Sequence, residues 1–120
     1  MPTDFEMSWK YTKGNYNTGY LKFGLSEAHV IYGGVLGSGG QTGIYRYVQG
    51  QGNKEGGYIP NFTFPTGVEK TIIMRHENNT ASISIDGYST SFTNTALTDR
   101  DYVRADINGG SIKEILIMPL

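Results

Sequence analysis

The densest group of side chains able to do chemistry lies between residues 45 and 54: Tyr45, Arg46, Tyr47, Gln49, Gln51, Asn53 and Lys54. Phenol rings offer flat apolar faces, while amides, a guanidinium and an ammonium offer hydrogen bonds around them. That combination suits a pyranose ring, whose apolar side stacks on an aromatic and whose hydroxyls need polar partners. Tyr16, Asn17 and Tyr20 form a second, smaller group of the same kind. In a strand, Tyr45, Tyr47 and Gln49 share one face and recur about 6.6 Å apart, with Ile44, Arg46 and Val48 on the other. Both faces are partly polar, so the alternation leaves open which one is buried. A single tyrosine is ordinary in a strand; only the clustering points to a ligand.

Hydrolytic chemistry needs different residues. A retaining glycosidase holds two carboxyl groups about 5 to 5.5 Å apart, and only Asp4 with Glu6 and Asp99 with Asp101 have the two-residue spacing that suits one strand face. The first pair opens the chain and the second flanks a turn, where Asp ordinarily bonds backbone. His29 and His76 have no serine in a Gly-x-Ser-x-Gly turn to activate. With no cysteine and two histidines, thiol chemistry and a structural zinc site are excluded, and no Asp-x-Asp-x-Asp-Gly loop offers a calcium site. The expectation is therefore no catalytic residue, no metal and no cofactor.

Gly37 to Gly43, GSGGQTG, departs from the dinucleotide fingerprint because Thr42 stands where its third glycine belongs, and it reads as a hairpin loop. A net charge of −1 with scattered Lys and Arg gives no basic stripe, so nucleic acid is not an expected partner. No run approaches the roughly 18 apolar residues of a membrane span, and no membrane insertion is expected.

The elements that must position these residues are strands. The 120 residues suit one domain, and 17 glycines with nine tyrosines indicate many turns and β-prone aromatics. From Val68 to Phe92, apolar residues alternate around two turn signals, Glu77-Asn78-Asn79 and Asp86-Gly87, which predicts three consecutive antiparallel strands. Phe5, Met7, Trp9 and Tyr11 alternate in the same way in a first strand, and Leu21, Phe23 and Leu25 in a second. His29 to Leu36 is a third, in which Gly33-Gly34 predicts a bulge or a close approach of another backbone. Gly50 to Gly57 reads as a flexible polar loop. Pro60 and Pro65 confine Tyr58-Ile59 and Phe62 to Phe64 to edges or turns, and 93 to 100 is the one segment suited to a helical turn. Asp101 to Ile107 and Ser111 to Met118 close the chain, with a bulge near Glu114. About ten short strands with one apolar face each predict an all-β, two-sheet antiparallel sandwich. Because the first strand begins almost at Met1, the chain is expected to be a single domain, 1–120, of a longer protein.

The order of these pieces resembles the concanavalin A-like lectin and glucanase superfamily, a jelly-roll β-sandwich. The resemblance rests on Asp4 to Tyr11, on Gly19 to Leu25, on the Asp-Gly-ended Ala81 to Tyr88, and on the closing Gly110 to Leu120. It implies carbohydrate binding or, in the enzymatic branch, glycoside hydrolysis. That branch carries a Glu-x-Asp-x-(x)-Glu strand, which is absent here. In size the chain is similar to compact modules of phage tail proteins, adhesins and carbohydrate-active enzymes. The leading expectation is thus a non-catalytic lectin-like module at an extracellular or virion surface, with an oligosaccharide or cell-wall polysaccharide as partner. Its site would be Tyr45, Arg46, Tyr47, Gln49, Gln51, Asn53 and Lys54, with Tyr16 and Tyr20. Two alternatives stand beside it: a structural or oligomerisation domain of a fibre, forming homo-oligomers through its parent, and a small glycoside hydrolase.

Overall fold

The computed structural model describes residues 4–93 and 102–120, apart from the side chain of Leu25. Its strands are β1 (Phe5–Thr12), β2 (Thr18–Ser26), β3 (His29–Val35), β4 (Thr42–Val48), β5 (Gly52–Tyr58), β6 (Lys70–Glu77), β7 (Thr80–Ile85), β8 (Tyr88–Thr93), β9 (Tyr102–Asn108) and β10 (Ser111–Pro119). They form two five-stranded antiparallel sheets, ordered β10-β1-β6-β7-β8 and β5-β4-β3-β2-β9. Among the described residues there is no helix; of the segment expected to form a helical turn, Thr93 ends β8, and the rest of it, like Asp99 and Asp101, lies outside the described residues.

The three strands anticipated between Val68 and Phe92 are β6, β7 and β8. Their turns have positive φ at both central residues, 50° and 63° at Asn78 and Asn79 and 53° and 83° at Asp86 and Gly87, the backbone that joins right-twisted antiparallel strands. β7 turns Ala81, Ile83 and Ile85 inward. β1 lies between β10 and β6 and buries Phe5, Met7, Trp9 and Tyr11 completely. Against them the second sheet sends Leu21, Phe23, Ile31, Val35 and Ile44. Each such side chain removed from water is worth about 1.5–3 kcal/mol, which is how a chain without disulfides or metal holds two sheets together. The buried Tyr11 hydroxyl donates to Gly109 O at 2.8 Å.

Two expectations are corrected. Gly52 to Gly57, read as part of a loop, belongs with Tyr58 to the edge strand β5, paired with β4 from Gly43↔Tyr58 to Val48↔Gly52. Its polar, glycine-rich sequence hides it because an edge strand is held by backbone pairing and has little apolar face to show. At Gly33-Gly34 the β2–β3 register runs unbroken, so there is no bulge there; the alternative, a close backbone approach, holds. The bulge near Glu114 is present: the β1–β10 register shifts between Ser8 and Lys10, and Glu114 has φ 56°. β10 is itself an edge strand that leaves Ile115, Leu116, Ile117 and Met118 exposed.

Candidate functional site

The register of β2 to β5 sets the outer face of the second sheet in rows. One row runs Tyr20, Gly34, Gly43, Tyr58; the next Lys22, Tyr32, Tyr45, Gly56; the third Gly24, Val30, Tyr47, Asn53. Two glycines between two tyrosines make a bare stretch of backbone with a ring at each end. The Tyr32 and Tyr45 rings rise along its flank. The resulting groove holds about 500 Å³, within the range of small-ligand sites.

The floor cannot be anything but glycine. A Cβ on Gly34, whose φ is 142°, would lie 2.5 Å from Gly19 O and 2.9 Å from the Trp9 indole; one on Gly43 would lie 2.3 Å from Gly57 O. The rings above form a chain of contacts: Tyr20 to Tyr32 at 5.5 Å, Tyr32 stacked on Tyr45 at 5.8 Å, and Tyr45 edge-on to Tyr58 at 5.9 Å. The Tyr32 hydroxyl donates to Asn53 Oδ1 at 2.7 Å, tying β3 to β5 across β4. Burial, with the neighbouring phenols, raises the Tyr32 pKa against the opposing bond to Asn53, and burial raises that of Tyr45. Both therefore remain neutral donors. These are preset apolar faces with hydroxyls at their tips.

Beyond Lys22 the face becomes charged. Lys22 bridges Asp106 at 2.6 Å and Glu27 at 2.9 Å, and Arg104 reaches Glu27 at 2.9 Å. Tyr102 also donates to Glu27. Burial opposes the Lys22 charge, but its bonds to Asp106 and Glu27 prevail and raise its pKa; Tyr102 and Lys22 lower that of Glu27. Two cations and two carboxylates thus neutralise one another at this end.

Of the residues expected from the sequence, Tyr20, Tyr45, Tyr47 and Asn53 line the groove. Arg46 does not: it pairs in register with the inward-facing Ile31, and its Nη1 donates to Glu55 Oε2 at 2.9 Å. Gln49, Gln51 and Lys54 are exposed and do not line it. Tyr16 is 80% exposed and borders a separate cleft with Lys13 and Ser38. Tyr32, Tyr58, Leu36, Val30, Lys22 and Glu27 complete the groove and were not anticipated. The available signal was the outward parity of Val30, Tyr32 and Gly34 in β3. Asp4, one member of the carboxylate pair, accepts from Asn78 N at 3.3 Å, and Glu6 approaches Arg75 at 3.7 Å. Both have structural roles. Among the described residues no cluster of three or more metal-ligating side chains occurs.

On the opposite face of β3 and β4, His29 Nε2 and Arg46 Nε are inaccessible and have no hydrogen-bond partner among the described residues. Burial, then the Arg46 charge, lowers the His29 pKa against the pull of Glu55. The folded state therefore binds this proton less readily than the unfolded one. Its contribution to stability is whole above about pH 6.5 and is lost as pH falls through the lowered folded value. Chemical denaturation from pH 7.5 to 5 should show wild type losing more stability than His29→Gln; parallel curves would remove His29 as the cause.

Comparison with solved structures shows this fold to be the concanavalin A-like lectin sandwich. Chicken galectin 2 superposes with a TM-score of 0.74 at 13% identity over 94% of this chain and 88% of its own. Toad ovary galectin in complex with N-acetylgalactose gives 0.73 at 11% identity over 98% and 91%, and Xenopus laevis galectin-Ib 0.70 at 13% over 98% and 92%. No family model matches the chain, and no curated protein matches it in sequence.

Proposed function

We propose that this domain is a non-catalytic carbohydrate-binding module and that its glycan lies in the tyrosine groove. The observation that carries the reading is the glycine floor between Tyr20 and Tyr58, flanked by Tyr32 and Tyr45. A pyranose laid on bare backbone is met by ring faces at its edges and by phenol and amide groups at its hydroxyls. The sandwich is shared with toad ovary galectin, which was solved with N-acetylgalactose and with thio-digalactose. Near-neutral pairing of Lys22, Arg104, Glu27 and Asp106 suits an uncharged sugar at that end. The setting proposed with this function is an extracellular or virion surface, on a phage tail or an adhesin, where a compact module tethers its parent to an oligosaccharide or cell-wall polysaccharide.

The test is a glycan array and a cell-wall binding assay on the domain, followed by amide shift mapping with each hit. Binding that shifts Tyr32, Tyr45 and Tyr58 sustains the proposal. Failure to bind any neutral glycan at millimolar concentration, or shifts confined to another face, removes it. Release of reducing ends by the domain would favour a hydrolase instead.

A second reading has its own observation. Among the described residues β10 is an edge strand that presents Ile115, Leu116, Ile117 and Met118 to solvent, and long apolar edges invite pairing with another chain. Under this reading the domain joins copies of its parent. Sedimentation should then show concentration-dependent association that Leu116→Lys abolishes; a monomer throughout the range would discard it.

A further inference from the structure

Lys13 is 3% exposed, and among the described residues no carboxylate pairs with it. Of the other described cations, only Lys54, which is exposed, also has no acidic partner among the described residues. Lys10, Lys22, Lys70, Lys113, Arg46, Arg75 and Arg104 each have an acidic partner. Water compensates an exposed ammonium, whereas a buried one needs an opposite charge close by. Lys13 Nζ donates to Gly14 O at 3.0 Å and, weakly, to Ser38 O at 3.5 Å. Two carbonyl dipoles compensate only part of the charge, and the ammonium has three N–H groups.

Beside it lies a cleft of about 330 Å³, lined among others by Lys13, Asn15, Tyr16, Ser38, Thr63 and Thr66. The lining contains hydroxyls, an amide and the ammonium, and no acidic residue. It shares no residue with the tyrosine groove. At its mouth Tyr16 is held at φ 62° and is 80% exposed. A bulky residue seldom occupies that left-handed region, and strain of this kind collects at binding sites.

We propose that this cleft binds an oxyanion, a carboxylate or sulfate group. Its oxygens take the open N–H of Lys13 and the hydroxyls of Ser38, Thr63 and Thr66, and Tyr16 gives a face for whatever carries the anion. The buried charge is then paired by the ligand. The anion arrives either free or on an acidic sugar, and the test separates the two.

Isotope-labelled domain is titrated with sodium sulfate and, separately, sodium glucuronate, with ionic strength held constant by chloride. Saturable shifts at the Gly14, Ser38 and Gly39 amides and at the Lys13 ammonium are expected, and Lys13→Met should weaken them at least tenfold. The ammonium signal is read in wild-type protein, so the result stands if that variant fails to fold. Tyr16→Asn suits the left-handed backbone and keeps the fold; a severalfold loss for glucuronate with sulfate unchanged assigns the site to a sugar-borne anion, and both titrations unchanged assign it to a free one. Drift without saturation for both anions, or saturation that persists in folded Lys13→Met, overturns the proposal. Tyr45→Ala should change neither titration, which separates this site from the groove.

Discussion

Replacing Gly34 by alanine should destabilise the domain by roughly 3–5 kcal/mol, the sum of overpacking and of an L side chain forced into a forbidden backbone region. The new methyl would collide with Gly19 O, Tyr20 Cα and the Trp9 indole at 2.5–2.9 Å. Two of those atoms are backbone of the neighbouring strand and the third belongs to a ring with no exposure, so nothing nearby moves cheaply. Domains of this size are commonly stable by only about 5–15 kcal/mol, so a loss on this scale takes a large share of the margin. The measurement is urea denaturation of wild type and variant. A midpoint within experimental error of wild type would mean that β2 and β3 do not approach as described.

Tyr45→Ala is the second large effect, on affinity. The ring lies between Tyr32 and Tyr58 on the outer face, so a stacked sugar loses an apolar surface worth roughly 1–3 kcal/mol, about five- to 150-fold in Kd. Stability should fall much less than for Gly34→Ala, because the side chain is half-buried and faces away from the core. Calorimetry with the best array hit and a melting curve on the same variant check both halves. Unchanged affinity with unchanged stability would remove Tyr45 from the site; a collapse of the melting temperature would show that the ring supports the fold.

Much of this architecture was legible in the sequence because strand alternation is a local signal. Phe5 to Tyr11 and Ala81 to Ile85 announce their buried faces, and Asp86-Gly87 announces its turn. The groove was half legible. Tyr45, Tyr47 and Asn53 are close in sequence, so clustering exposes them, whereas Tyr32 and Tyr58 arrive through β3 and β5 and are neighbours only after register is fixed. Arg46 illustrates the opposite error: adjacent to two groove tyrosines, it points the other way because strand parity overrides sequence proximity. β5 was missed for lack of apolar residues, since Gly52, Gly56 and Gly57 contribute backbone alone. Lys13 gave no signal at all; its burial depends on loops contributed by three separate parts of the chain.

The glycine floor also governs how this surface could be re-engineered. Gly34 and Gly43 are locked by the strands beside them, so a library that varies the floor would consist mainly of unfolded members. Tyr20, Tyr32, Tyr45, Tyr47 and Tyr58 stand on the outer face of β2 to β5, and randomising them exchanges the shape of the recognised molecule while the inward-facing core stays as it is. The scaffold therefore separates what must be inherited from what can be rewritten, and five codons hold most of the second category.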